Sequence, residues 1–212
     1  MTDAQRTAAA AASPRRYTRV AIVLHWLVAL AVLAMLPLGL VMKRAAVALE
    51  TKFWLYQLHK SLGFTILALM LVRIVWRLRH APPPLPAGIS ARLTRLAQSA
   101  HLTLYVLLIA LPVTGWLLVS SAALQVPTRY FNLVTVPHLP GWSTLPVETR
   151  GVFETYYANL HRYTALALGL LVLVHIAAAL YHRRHGIDLR ARMRLLTRIG
   201  PRIGSRSGQR MG

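Results

Sequence analysis

The chain has 212 residues, 56% of them hydrophobic and 14% charged, with 25 Lys and Arg against five Asp and Glu and a formal net charge of +20. The absence of cysteine excludes disulfides, thiolate-held iron–sulfur clusters and covalent haem attachment through Cys-x-x-Cys-His. So apolar a composition belongs to a small membrane protein; the basic excess, which in a soluble chain would suggest nucleic acid, then has to be read against the apolar runs.

In chain order, residues 1–15 read as a disordered lead. The apolar run behind them is too long for a signal-peptide core and has no small-residue cleavage site after it. Four runs have spanning length, at about 19–42, 56–78, 100–121 and 157–181, the last with room for an earlier start near Pro146. They break at Lys43-Arg44, at Ala81-Pro82-Pro83-Pro84, at Gln125-Val126-Pro127 and at His182-Arg183-Arg184-His185. Pro37 and Pro112 fall inside the first and third runs, where packed neighbours tolerate a kink. The expected fold is all-α, an integral-membrane four-helix bundle over residues 16–185. The third loop, about 122–156, is expected to cap one face with a short amphipathic or irregular segment. Residues 186–212 form a basic tail in which Asp188 is a candidate helix cap and DLRARMRLLTRI a short helix suited to anionic headgroups.

Orientation follows from Lys and Arg. The lead, the second loop with its helix end, and the tail together hold eighteen of the 25 basic residues on one side. Both termini are therefore expected to be cytoplasmic, the charge is mainly a topology signal, and no nucleic-acid partner is expected.

Chemistry concentrates in histidine, the remaining strong metal ligand. His161 and His175 lie fourteen residues apart in the fourth run. That is nearly four turns, so both rings leave one face, roughly 21 Å apart along the axis at about 1.5 Å per residue. Depth sorts four histidines into two level pairs, His25 with His175 near the cytoplasmic surface and His59 with His161 near the far one. A low-spin b haem takes one imidazole from each side of its plane, whereas zinc would need three or four clustered ligands. Two bis-histidine haems, stacked between the helices, fit the pattern better than four packing histidines. By depth alone His101 could replace His25.

Haem propionates call for cationic and hydroxyl donors. Arg73 and Arg77, with Arg19 and Tyr17, are candidates on the inner side, plain snorkelling explaining Arg77 better than Arg73; Lys60 and Arg162 are candidates on the outer side, where each could equally be an interface anchor. His182, two turns beyond His175, is a candidate neighbour for a quinone headgroup or else a snorkelling residue. Gly39, Gly63, Gly115 and Gly169 sit mid-helix, making room for a flat macrocycle or for a neighbouring helix.

The runs R-Y-T-R-x-A-I-x-L-H-W (16–26), H-K-S-L-G (59–63), V-R-I-V-W-R (72–77), H-L-T-L-Y-V-L-L-I-A-L-P-V-T-G (101–115), L-H-R-Y (160–163) and V-H-I-A-A-A-L-Y-H (174–182) together resemble the bacterial cytochrome b561 family. The resemblance implies a di-haem protein of the bacterial inner membrane in which the fourth helix gives one ligand to each haem, and it makes His101 a non-ligand. It implies electron transfer with the quinone pool, including, in some members, oxidation of superoxide with reduction of ubiquinone. For superoxide, Lys52, Lys60, Arg129 and Arg162 would steer the anion. The competing expectation is a membrane-anchoring cytochrome subunit of a hydrogenase or molybdoenzyme, with a redox partner protein docked on an apolar patch of the third loop.

Overall fold

The computed structural model describes residues 17–44, 46–81, 83 and 90–184. The expected lead, the basic tail with Asp188, and His185 lie outside the described residues. Among those described, four helices carry the chain: α1 (Arg19–Arg44), α2 (Leu49–Arg79), α3 (Ala91–Ser121) and α4 (Val147–Arg184). Each holds a stretch long and apolar enough to cross a membrane. A helix suits such a run because it satisfies every backbone N–H and C=O internally, which lipid cannot do. Pro37 and Pro112 are accommodated within α1 and α3.

The helix ends show why the apolar runs mark only the central parts. Thr18 starts α1 by accepting the Ala21 N–H at 3.3 Å, and Ser90 starts α3 by accepting the Leu93 N–H at 3.3 Å. Glu50 and Glu148 lie in the first turns of α2 and α4 and basic residues in the last turns of α1, α2 and α4, matching the helix dipole. α3 has no basic residue in its last turn. Its closing carbonyls are met from outside: Gln125 Nε2 donates to Ser120 O at 3.1 Å, and Arg150 of α4 donates to Ala122 O at 3.3 Å. Glu154, one turn on, accepts the Ala123 N–H at 3.0 Å. This pairing explains why α4 begins ten residues before its apolar run. With 38 residues, α4 is about 57 Å long at 1.5 Å per residue, against a hydrocarbon core of about 30 Å.

Sequential helices pack on one another, α1 on α2, α2 on α3 and α3 on α4. The packing of Leu36 on Gly169 and of His25 on His175 closes α4 against α1. The product is an antiparallel four-helix bundle. Its buried centre is Val28, Val32, Ile66, Met70, Leu104 and Leu168. Leu30, Val106, Leu170 and Leu173 stay exposed on the outside of the bundle, which costs nothing where the solvent is lipid.

The third loop is more regular than expected. Strands β1 (Thr128–Tyr130) and β2 (Val134–Val136) pair antiparallel, with Tyr130 opposite Val134. Phe131 and Asn132 turn the chain at φ 46° and 60°, and the Leu133 N–H closes on Tyr130 O at 2.9 Å. Positive φ at both central residues is what a primed hairpin turn demands, and it is unusual for a bulky residue such as Phe131. A short 3-10 turn, Trp142–Thr144, follows. Its Trp142 ring meets Phe153 and Tyr157 of α4 edge-on at 5.2 and 5.9 Å.

Candidate functional site

The bundle brings the four level histidines together in pairs. His25 of α1 and His175 of α4 have ring centres 6.4 Å apart, and His59 of α2 and His161 of α4 have theirs 6.1 Å apart. These separations can be tested against a shared metal. A metal–imidazole bond is about 2.0–2.1 Å and the ring centre lies about 1.1 Å behind the nitrogen, so two imidazoles on opposite faces of one group put their centres roughly 6.3 Å apart. Both pairs fit. His101 has its ring centre only 5.5 Å from His175, too short for that arrangement, and its side chain reaches back to the Ala97 carbonyl one turn away.

The apolar cluster of Val28, Val32, Ile66, Met70 and Leu168 is drawn from the stretches of α1, α2 and α4 that separate the two pairs. Each pair thus has apolar packing between it and the other.

The two α4 histidines are held differently. His161 Nδ1 lies 3.0 Å from Leu111 O and 3.2 Å from Thr114 Oγ1, while Thr114 donates its own proton to Leu111 O at 2.8 Å. A carbonyl only accepts, so Nδ1 carries the proton and Nε2 keeps its lone pair for a metal. Gly115 permits the approach: a Cβ there would stand 3.1 Å from His161 Cε1. Gly39 plays the looser counterpart, since a Cβ would stand 3.5 Å from His59 Cε1. His59 Nδ1 is buried and has no hydrogen-bond partner. Gly63 and Gly169 face Met35 and Leu36, so these two serve helix packing.

The polar candidates separate likewise. Arg73 Nε donates to Tyr105 OH at 2.9 Å, and the guanidinium carbons of Arg73 and Arg77 each lie 5.3 Å from the centre of the Tyr105 ring. Arg73 is half-buried and within electrostatic reach of both His25 and His175, whereas Arg77 is exposed. Trp76 Nε1 donates to Thr18 Oγ1 at 2.8 Å, which fixes the start of α1, with Tyr17 half-buried and Arg19 exposed, at the same end of the bundle. His182 is half-buried, its ring 5.7 Å from that of Tyr181.

At the hairpin end Lys60 Nζ donates to Pro127 O at 3.2 Å, so this cation anchors the hairpin. Arg162 is exposed, 5.8 Å from the Tyr163 ring centre. The sequence singles out Gly39 and Gly115 for the room they leave, but not Tyr105, Leu111 or Thr114. For Leu111 and Thr114 the signal is the Leu-Pro-Val-Thr-Gly run in α3, because Leu111, Thr114 and Gly115 share one helix face at three- and four-residue spacing.

Comparison with known proteins bears on the same stretch. The family model of prokaryotic cytochrome b561 matches residues 16–194. Cytochrome b561 homolog 2 of Escherichia coli (strain K12) is 32% identical over 179 residues, covering 83% of this chain and 88% of its own. The probable superoxide oxidase CybB of Yersinia pestis is 34% identical over 101 residues, covering 48% of this chain and 56% of its own.

Proposed function

From the premise that this chain belongs to the prokaryotic cytochrome b561 family, and is therefore a multi-pass b-type cytochrome of electron transfer, we propose that it carries electrons across the bacterial inner membrane from a donor at the hairpin end to quinone at the end where α1 begins and α4 finishes. The observation that carries this reading is the pair of ring separations, 6.1 and 6.4 Å, built on one helix fourteen residues apart.

In this reading His59 and His161 hold one haem b, and His25 and His175 a second. Bound there, haem b supplies a one-electron couple. The chain's residues do the rest. Four imidazoles orient the groups, and the apolar layer around Met70 and Leu168 keeps water out between them. Arg73, with Tyr105, and Arg77, with Arg19 and Tyr17 nearby, compensate the propionate charge at the inner end. His182, half-buried two turns beyond His175, offers an imidazole to the quinone headgroup at the inner end.

The relative named as a probable superoxide oxidase supports superoxide as the donor, and the family resemblance supports ubiquinone as the acceptor. Two superoxide anions would then each lose one electron to give dioxygen, and one quinone would take both electrons and two protons. Lys52, Arg129 and Arg162 supply the attraction for the anion, with Lys60 contributing charge while engaged with Pro127. Arg162→Gln is expected to slow superoxide-driven reduction and flatten its dependence on ionic strength; an unchanged rate and salt profile would remove superoxide steering from the reading.

The decisive experiment is a redox-titrated absorption spectrum of the purified protein and of its His161→Ala and His175→Ala variants. Two haems per chain in the parent, with a different one lost in each variant, is the expected result; retention of both in either variant overturns the layout. A second reading, the cytochrome subunit of a larger respiratory complex, draws support from Leu124, Leu133 and Val134, which stay exposed on the third loop. It predicts co-purification with a soluble redox subunit.

A further inference from the structure

The two ligands proposed for the haem at the hairpin end are not equivalent in their surroundings, and α3 makes the difference. It contributes no ligand in the proposed layout, yet its Leu111 carbonyl and Thr114 hydroxyl both converge on His161 Nδ1, at 3.0 and 3.2 Å. Thr114 is fixed in turn by donating to Leu111 O at 2.8 Å, and its side chain is buried. Gly115 sets the distance of closest approach, with a Cβ there only 3.1 Å from Cε1 and 3.4 Å from Nδ1 of the same ring. On the other side of the pair, His59 Nδ1 is buried without a partner.

We propose that Thr114, with the Leu111 carbonyl and the gap left by Gly115, is a positioning residue that locks His161 in the Nδ1–H tautomer and sets the redox potential of the haem at the hairpin end independently of the other haem. The inference rests on the haem assignment of the preceding section. Its physical basis is that an acceptor on the far nitrogen of a metal-bound imidazole fixes the ring and raises its basicity, which favours the oxidised metal. Two oxygens act on His161 in this way and none acts on His59, so the strength of this haem's ligation is adjusted from the α3 side. Thr114→Val keeps the shape of the side chain and removes one of the two acceptors. Gly115→Ala leaves both acceptors in place and pushes the ring away from them.

The test is an optical redox titration of the full-length protein that resolves the two haems, together with haem content per chain. In Thr114→Val the potential of the hairpin-end haem is expected to rise while that of the other stays at its parental value, and Thr114→Ser, which retains the hydroxyl, should restore it. In Gly115→Ala the same haem is expected to be retained roughly 10–100-fold less tightly, the usual cost of disturbing a group that orients a ligand, again with the other haem unaffected. Potentials that are unchanged, or that shift equally for both haems, overturn the proposal. The haem layout itself fails by a different sign, retention of both haems in His161→Ala, so the two failures can be told apart.

Discussion

Gly39 and Gly115 face histidines on opposite sides of one pair, but with different clearance. A methyl group at Gly39 would make an ordinary contact at 3.5 Å with His59 Cε1, against 3.1 Å at Gly115 with His161. Gly39→Ala is therefore expected to keep both haems, whereas Gly39→Leu, which must fill the same space with three more carbons, should lose the hairpin-end haem selectively; pyridine haemochrome content per chain measures both. His101 makes a related test at the other pair. With its ring centre 5.5 Å from His175, against 6.4 Å for His25, His101→Ala should retain two haems per chain and His25→Ala only one. At this scale the pairing could be anticipated because depth follows from position along a helix. Depth does not choose between His25 and His101, which lie at the same level; the family resemblance favours His25, and the packed ring distances agree with it. Thr114 was hidden for another reason: its partner is a side chain 47 residues away in the sequence, together with a backbone carbonyl that has no residue signature.

Among the elements, the hairpin depends on a single face of α2. Gln57 uses both ends of its amide, donating from Nε2 to Pro127 O at 2.9 Å and accepting the Arg129 N–H on Oε1 at 3.1 Å. Ser61 Oγ accepts the Phe131 N–H at 3.0 Å, and Thr65 Oγ1 meets Tyr130 OH at 3.1 Å. Residues 57, 61 and 65 are four apart, so one polar stripe of α2 receives Pro127, Arg129, Tyr130 and Phe131. Gln57→Leu removes both bonds of the amide, each part-buried and contributing about 0.5–1.5 kcal/mol net. The expected result is faster proteolysis within 122–146 with haem content preserved; an unaltered cleavage rate would mean that the hairpin is held by something other than this stripe. The four long helices were legible from apolar run length, since lipid leaves the backbone no alternative. The hairpin was not, because each strand has three residues and its turn is Phe-Asn rather than a glycine-bearing pair. Thr-Arg-Tyr and Val-Thr-Val between Pro127 and Pro137 are its signal, legible once the α2 stripe shows where they dock.

For the whole molecule the remaining question is direction, which the bundle alone leaves symmetric. Basic residues break that symmetry: the lead, the α2–α3 connection with its helix ends and the tail hold eighteen of the 25 Lys and Arg in the sequence, against seven in the segments toward the hairpin, and Trp76 ties the start of α1 to the end of α2. Under positive-inside retention of Lys and Arg, the orientation we propose has the hairpin, with the His59–His161 pair beneath it, on the outer face. The absence of cysteine makes this directly measurable. Leu133, 83% exposed at the hairpin turn, and Ala81, exposed just beyond α2, can each be replaced by a lone cysteine with no background labelling. A membrane-impermeant maleimide applied to intact spheroplasts is expected to label Leu133→Cys at once and Ala81→Cys only after permeabilisation. The reverse pattern would turn the protein over. It would place the histidine pair held by α3 next to the cytoplasm, leave His182 facing outward, and make an external anionic donor incompatible with Arg162 as its guide.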